Sequence, residues 1–301
     1  MSPSGELHEV AEGVFAYVQP DGGWCLNNAG ILVGADAVTL VDTAATEQRA
    51  RNLRSAIATV TPLPPRIVVN THHHGDHTGG NFVFTPSATV VAHAATRTQV
   101  LEKGLGLTKV WPDTHWGELV VSPPTLTFTD RMTLHQGDMV VELRHIGPAH
   151  TTNDVFVWLP AQRVLFTGDL VMSGCTPFFF MGSLLGSLRA VRALRRLGAK
   201  TVVCGHGPVC GPEVFDVNET YLRWVHQLAR DGLAAGLDPL TLAMRTDLGE
   251  FAALLDPERL VANLHRAYDE LQGNPPGRYL SSAPVFEQMR VYNGGPLTCL
   301  A

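Results

Sequence analysis

Apolar and polar positions follow two different periods along this chain. As far as Pro212 the apolar residues come in short β-branched runs, each closed by glycine, proline or a polar residue. Arg66–Val69 leads into Asn70, Thr71 and His72; Met139–Ile146 leads through Gly147-Pro148 to His150. Arg163–Phe166 leads through Thr167-Gly168 to Asp169, and Thr201–Cys204 ends at Gly205-His206-Gly207. Runs of this length closed by turn formers predict strands followed by tight loops. Helical spacing appears at Leu184, Leu188, Val191 and Leu194, and it takes over from Glu213 onward. Glu219–Gly236 carries Leu222, Val225, Leu228 and Leu233 on one face. Pro239–Phe251 and Pro257–Leu271 continue the pattern with a proline at or near each start, and Gly273–Gly277 reads as a linker. The change of period predicts a catalytic α/β unit over residues 1–212. A helical C-terminal extension over 213–301 would pack on it, roofing the strand ends or joining two subunits as a homodimer.

Each of the four strand ends carries a histidine or an aspartate, and the first carries a cluster. Thr71-His72-His73-His74-Gly75-Asp76-His77-Thr78-Gly79-Gly80 places three imidazoles and one carboxylate in register, with His73 as the spacer. Unpaired groups of this kind are costly to bury, whereas together they suit Zn²⁺, Fe or Mn. A single histidine after a strand is ordinarily structural. Four strand ends converging with this cluster make a metal site, and the glycines beside His150, Asp169 and His206 let the backbone aim them inward. His93, His115, His135, His145, His226 and His265 read as ordinary surface or core residues.

Bulk properties narrow the function. A net charge of −6 argues against a nucleic-acid partner. No apolar run approaches a membrane span, and the start, MSPSGELHEVAEG, has neither a basic nor an apolar leader segment. Five cysteines, Cys25, Cys175, Cys204, Cys210 and Cys299, are scattered and odd in number, as free thiols in a reducing cytoplasm would be. A cytoplasmic enzyme without a membrane or nucleic-acid partner is expected.

The residues resemble the metallo-β-lactamase-fold hydrolases. Thr71–Gly80, then Gly147-Pro148-Ala149-His150-Thr151, Phe166-Thr167-Gly168-Asp169 and Gly205-His206-Gly207-Pro208, look like the successive metal motifs of that family, in order. The resemblance implies a four-layer αβ/βα sandwich with the site at one edge. It implies one metal on His72, His74 and His150, a second on Asp76, His77 and His206, and Asp169 bridging them. Two Zn²⁺ are the expected cofactors. Asp76 would also orient the attacking water, which makes it the catalytic residue. Asp42, in Val38–Thr43, resembles the first motif of the family and would support a ligand loop; capping of the helix that begins near Thr46 is the alternative.

Substrate class follows less directly. A thiolate leaves readily near its pKa of roughly 8.5 without a strong general acid, so thioester hydrolysis fits a site rich in Lewis acid. Met172, Phe178, Phe179, Phe180 and Met181 follow Asp169 and would line an apolar pocket or lie in the core. The helix bearing Arg189, Arg192, Arg195, Arg196 and Lys200 would dock an acyl carrier protein or present a solvated face. Further stretches, Gly23–Gly30, Gly168–Gly174, Tyr221–Val225, Arg259–Ala267 and Tyr292–Gly295, resemble the cyclase/thioesterases of bacterial aromatic polyketide biosynthesis. That likeness implies aldol closure and aromatisation of a ring in an antibiotic-type polyketide, coupled to release from its carrier. Competing readings are a glyoxalase-II-like hydrolase of glutathione thioesters, a mononuclear iron dioxygenase, and a carrier-protein-binding scaffold without activity.

Overall fold

The computed structural model describes residues 5–301, so the first four residues of the segment read as lacking a leader lie outside it. Strands β1 (Glu6–Ala11), β2 (Val14–Val18), β3 (Ala29–Val33), β4 (Val38–Val41), β5 (Pro65–Val69), β6 (Thr89–His93) and β7 (Leu126–Phe128) form one sheet in sequential order. Strands β8 (Arg131–Gln136), β9 (Met139–His145), β10 (Val155–Leu159), β11 (Val164–Gly168) and β12 (Thr201–Cys204) form a second. Pairing is parallel where a helix or long loop intervenes, from β4 to β7 and between β11 and β12, and antiparallel across the hairpins.

Period-two alternation explains the layering. Val14, Ala16, Leu32, Val41, Val69 and Val91 of the first sheet face Val155, Val157, Val164, Phe166 and Val203 of the second across one core. Their neighbours Tyr17, Ile31, Leu40, Val68 and Val90 turn outward onto Leu53 and Ile57 of α1 (Glu47–Val60). Phe156, Trp158, Leu165 and Val202 turn the other way, into a core shared with α4 (Leu184–Arg195) and the C-terminal helices. Helix, sheet, sheet, helix is the expected four-layer sandwich. The remaining helices are α2 (Gly75–Thr78), α3 (Ala94–Lys103), α5 (Val214–Ala234), α6 (Pro239–Arg245), α7 (Arg259–Leu271) and α8 (Ser282–Asn293). None among the described residues is long and apolar enough to cross a membrane.

Helix α5 starts at Val214 rather than near Glu219, because Val214 and Phe215 are buried and Asn218 is bound to both backbone polar atoms of Met172. Helix α6 stops at Arg245, short of the predicted Phe251, which instead lies in a single 3₁₀ turn. Helix α8 had no counterpart among the predicted elements; it buries only Val285 and Met289.

Helix α7 clamps the segment that follows Asp169. Arg259, Asn263 and Arg266 fall on one stripe of the helix. Arg259 donates to Thr176 O at 3.0 Å, Asn263 donates to Pro177 O at 2.7 Å and accepts from Phe179 N at 3.0 Å, and Arg266 donates to Phe180 O at 2.8 Å. Four backbone polar groups of an irregular segment, between Thr176 and Phe180, thereby find partners they could not find in a sheet.

Arg192 and Arg195 of α4 are largely committed within the molecule. Both pair with Glu219 of α5, at 3.0 and 2.8 Å, and Arg223 pairs with the same carboxylate at 2.8 Å. Burial alone would raise the Glu219 carboxyl, but the three guanidiniums outweigh it and hold it at about 2, below its ordinary 4.5. A depressed carboxyl stabilises the fold fully above its unfolded pKa, and that contribution fades as pH falls toward the folded one. Glu219→Gln is therefore expected to lose about 1 kcal/mol at pH 7 and progressively less between pH 4.5 and 2. Urea unfolding at both ends of that range checks it; an equal loss at both would count against the ion pairs.

Candidate metal centre

All seven residues predicted as ligands meet at one edge of the sandwich. His72 and His74 leave the end of β5, Asp76 and His77 sit on α2, and His150 lies in the β9–β10 loop. Asp169 follows β11 and His206 follows β12. Donor atoms of His72, His74, His150 and Asp169 lie within 4.8 Å of one another, and those of Asp76, His77 and His206 form a second such group. Asp169 joins the two. Its Oδ2 lies 3.4 Å from His150 Nε2 and 3.5 Å from His206 Nε2, and its Oδ1 lies 3.2 Å from His77 Nε2. Asp76 Oδ2 is 3.3 Å from His206 Nε2.

Close approach at Asp169 depends on two glycines. Gly168 has φ +51°, which favours glycine, and a side chain there would strike Thr71. A Cβ on Gly205 would sit 1.9 Å from Asp169 Oδ1.

The outer nitrogens of the rings are tethered. His77 Nδ1 donates to Asp42 Oδ2 at 2.8 Å, and His72 Nδ1 lies 3.0 Å from Thr71 Oγ1, which donates to the same carboxylate oxygen at 2.7 Å. His150 Nδ1 donates to Phe178 O at 2.5 Å and His206 Nδ1 to Gly22 O at 3.0 Å. With Nδ1 taken up by these tethers, Nε2 is the atom each ring turns toward the centre. His74 is turned the other way: Nδ1 is 2.9 Å from His150 Nε2, and Nε2 is 3.2 Å from Met181 Sδ.

This donor set fits two cations. His72 Nε2, His77 Nε2 and Asp169 Oδ1 are buried without a hydrogen-bond partner, although other acceptors and donors surround them. Orphaned buried atoms converging from separate elements are what a metal would satisfy. Burial, then the neighbouring His77, hold His72 well below the ordinary imidazole range, and burial with His73 does the same for His74. Both stay neutral, as ligands must. For His206 burial pulls down, but Asp169 and Asp76 outweigh it and raise the ring to about 9. Burial opposes ionisation of Asp76 and Asp169 too, yet His77 and His206 keep both below the usual carboxylate range.

Asp42 is a positioning residue and caps nothing; Thr46 caps α1 by accepting from Arg49 N. The left-handed backbone at Asp42, φ +60°, turns its carboxylate back onto Thr71 and His77. Asp42→Asn is expected to weaken metal retention about 10–100-fold, read as metal content against a graded chelator. Retention equal to the parent would mean that the His77 tether has no influence on binding. His73 stands outside both groups, bonded to Asn153 and held down to about 4 by burial.

The centre floors a cleft. Met172, Phe178 and Met181 line it as predicted, but Phe179 and Phe180 do not. Alternation along the extended segment turns Phe179 into the helical core, and Phe180 borders a neighbouring cavity. The other wall comes from distant parts of the chain: Trp24, Trp111, Phe286 and Arg259. Trp24 lies 5.4 Å from both Trp111 and Phe178, ring centre to ring centre, and donates its Nε1–H to Glu258 at 2.6 Å. Arg259 stacks 4.1 Å over Trp24.

The chain is similar to known proteins in sequence and in fold. The chain is 28% identical over 212 residues to the 2,4-dinitroanisole O-demethylase subunit alpha of Nocardioides sp. (strain JS1661), covering 68% of this chain and 60% of that protein. It is 33% identical over 141 residues to a hydroxyacylglutathione hydrolase of Rhodospirillum rubrum, covering 46% of this chain and 47% of that one. The chain thus spans roughly half of the length of these relatives. A metallo-β-lactamase from Pontibacter korlensis superposes with a TM-score of 0.62 at 23% identity, over 73% of this chain and 99% of its own, which speaks for the fold. Residues 22–206, the stretch that holds both donor groups, match the metallo-beta-lactamase superfamily, and the chain belongs to that superfamily.

Proposed function

We propose that the protein is a dinuclear metal thioesterase that releases an aromatic polyketide intermediate from an acyl carrier protein, with aldol closure of a further ring. Members of the superfamily are metal-dependent hydrolases. The observation that carries the narrower reading is the cleft itself: metal donors on its floor, four aromatic rings on its walls, and, outside the donor set, no ionisable acid in its lining but Cys25, whose thiol burial pushes well above its ordinary range. Its two carboxyls, Asp76 and Asp169, are held ionised. An amide nitrogen must be protonated to leave, whereas a thiolate need not be. Two divalent ions, held by the seven donors, would supply a water of lowered pKa and would polarise a carbonyl, chemistry suited to both hydrolysis and enolate formation.

The residues of the chain do the rest. Asp76 orients the attacking water through a carboxylate oxygen. Trp24, Trp111, Phe178 and Phe286 flank a planar acyl group and exclude bulk water. Arg189 and Arg196 on α4 are exposed and form no ion pair among the described residues, so they lead the proposed docking of the carrier protein; Arg192 and Arg195 contribute less, being neutralised by Glu219. A second reading, hydrolysis of a small glutathione thioester, is supported by the likeness to hydroxyacylglutathione hydrolase.

Zinc-loaded protein and its Asp76→Asn variant, given a carrier-bound aromatic β-ketoacyl thioester and separately a 2-hydroxyacylglutathione, test both readings. Free thiol and product mass are followed together. Thiol release from the carrier substrate, reduced about 10²–10³-fold in the variant, is the expected result, with a dehydrated product marking ring closure. Release from glutathione alone favours the second reading. No release from either, by protein shown to hold two ions, sinks the thioesterase assignment.

A further inference from the structure

A second cavity adjoins the metal cleft, with Met181 in the wall of both. Met181 Sδ sits 3.2 Å from His74 Nε2, so one side chain separates the donor set from the new space. The character of the second cavity is different. Lys103 at the end of α3, Arg266 of α7 and Arg278 of the following loop all border it.

Arg266 builds the frame. Its side chain is 1% exposed, and its nitrogens are taken by Phe180 O, Asp269 Oδ2 and Arg278 O. Gly277 N donates to Gly182 O at 3.0 Å, tying the Arg278 loop to the segment that carries Phe178 and Met181. The cavity is therefore held in fixed relation to the cleft. Lys103 and Arg278 supply its exposed charge. Lys103 is exposed and forms no ion pair among the described residues, its ammonium lying 5.2 Å from the Tyr279 ring centre. Arg278 is 47% exposed on its side chain and shares the Asp269 carboxylate with Arg266. The lining itself carries three cations and no carboxylate; Asp269 and Glu270, which act on Arg266 from behind, offset part of that charge, in a chain whose net charge is −6.

We infer that this cavity seats an oxyanion carried by the leaving thiol, with Lys103 and Arg278 as its ligands. The inference rests on the thioesterase reading for the direction in which the substrate lies. With the acyl group among the aromatic rings and its carbonyl over the donors, the thiol arm passes Met181 and ends at the cations. A phosphate on a pantetheine-type arm and a carboxylate on a glutathione-type arm share this chemistry.

Binding of unreactive thiols separates the sources. Dissociation constants are measured calorimetrically for 4′-phosphopantetheine against pantetheine, and for glutathione against its C-terminal amide. Within at least one pair the anionic member is expected to bind about tenfold tighter, and the pair that shows it names the oxyanion. The ratio is expected to fall to near one in Lys103→Ala and in Arg278→Ala. Lys103→Glu, at an exposed position, is expected to reverse it, which keeps the test open should loss of Arg278 disturb Asp269. Ratios near one in the parent protein for both pairs, or a preference unchanged in the Lys103 variants, would overturn the assignment. None of these probes is turned over, so this failure is distinct from an absence of thiol release.

Discussion

Replacing Asp169 with asparagine is expected to leave fewer than two ions bound per chain and to reduce thiol release about 10²–10³-fold. Asp169 turns its carboxylate to both donor groups, with Oδ2 facing His150 and His206 and Oδ1 facing His77. Asparagine keeps the size and one acceptor but turns the other position into an N–H donor, aimed where a cation would sit. It also removes the charge that outweighs burial at His206 and raises that ring to about 9. Elemental analysis after gel filtration, with thiol release on the same sample, reads both effects. Two ions retained with ordinary turnover would show that the two sites are held independently and that Asp169 bridges nothing.

Arg259→Ala is expected to have the largest effect on stability, about 3–5 kcal/mol. The guanidinium is buried, pairs with Asp256 at 2.7 Å, donates to Thr176 O and stacks on Trp24. Its removal leaves the carboxylate of Asp256, itself half-hidden, without its cation, and opens a void beneath the Trp24 ring. Lysine at this position is expected to recover only part of the loss, because one ammonium cannot reach all three partners. The midpoint of urea unfolding reports the change. A midpoint within a few tenths of a molar of the parent would mean that the buried pair contributes little beyond its own desolvation.

The metal donors were legible because each sits within a few residues of a strand end, so local pattern and chemistry coincide in the sequence. Spacing alone separated His73 from His72 and His74. The cleft walls were a different matter. Trp24, Trp111, Arg259 and Phe286 are far apart in the chain and meet only through tertiary packing, which no local period reports. Phe178–Met181 was visible as an apolar run, but which rings face the cleft depends on how α7 holds the backbone. Helix α8 escaped notice for a related reason: with two buried side chains among twelve residues, Ser282–Asn293 carries almost no apolar stripe. Arg192 and Arg195 looked free in sequence, since their partner Glu219 lies on a different helix.

The stripe of Arg259, Asn263 and Arg266 grips peptide groups between Thr176 and Phe180 and leaves the side chains of that segment out of the bargain. The course of the wall is thus written by one helix, while its lining is written by residues that the helix does not read. Phe178 can be exchanged for a smaller or larger neighbour without asking the main chain to move, since His150 beneath it is tethered to the Phe178 carbonyl and not to its ring. Such a division lets the shape offered to an acyl group drift through substitution while the chemistry stays put, a route by which one scaffold can be retuned to successive substrates.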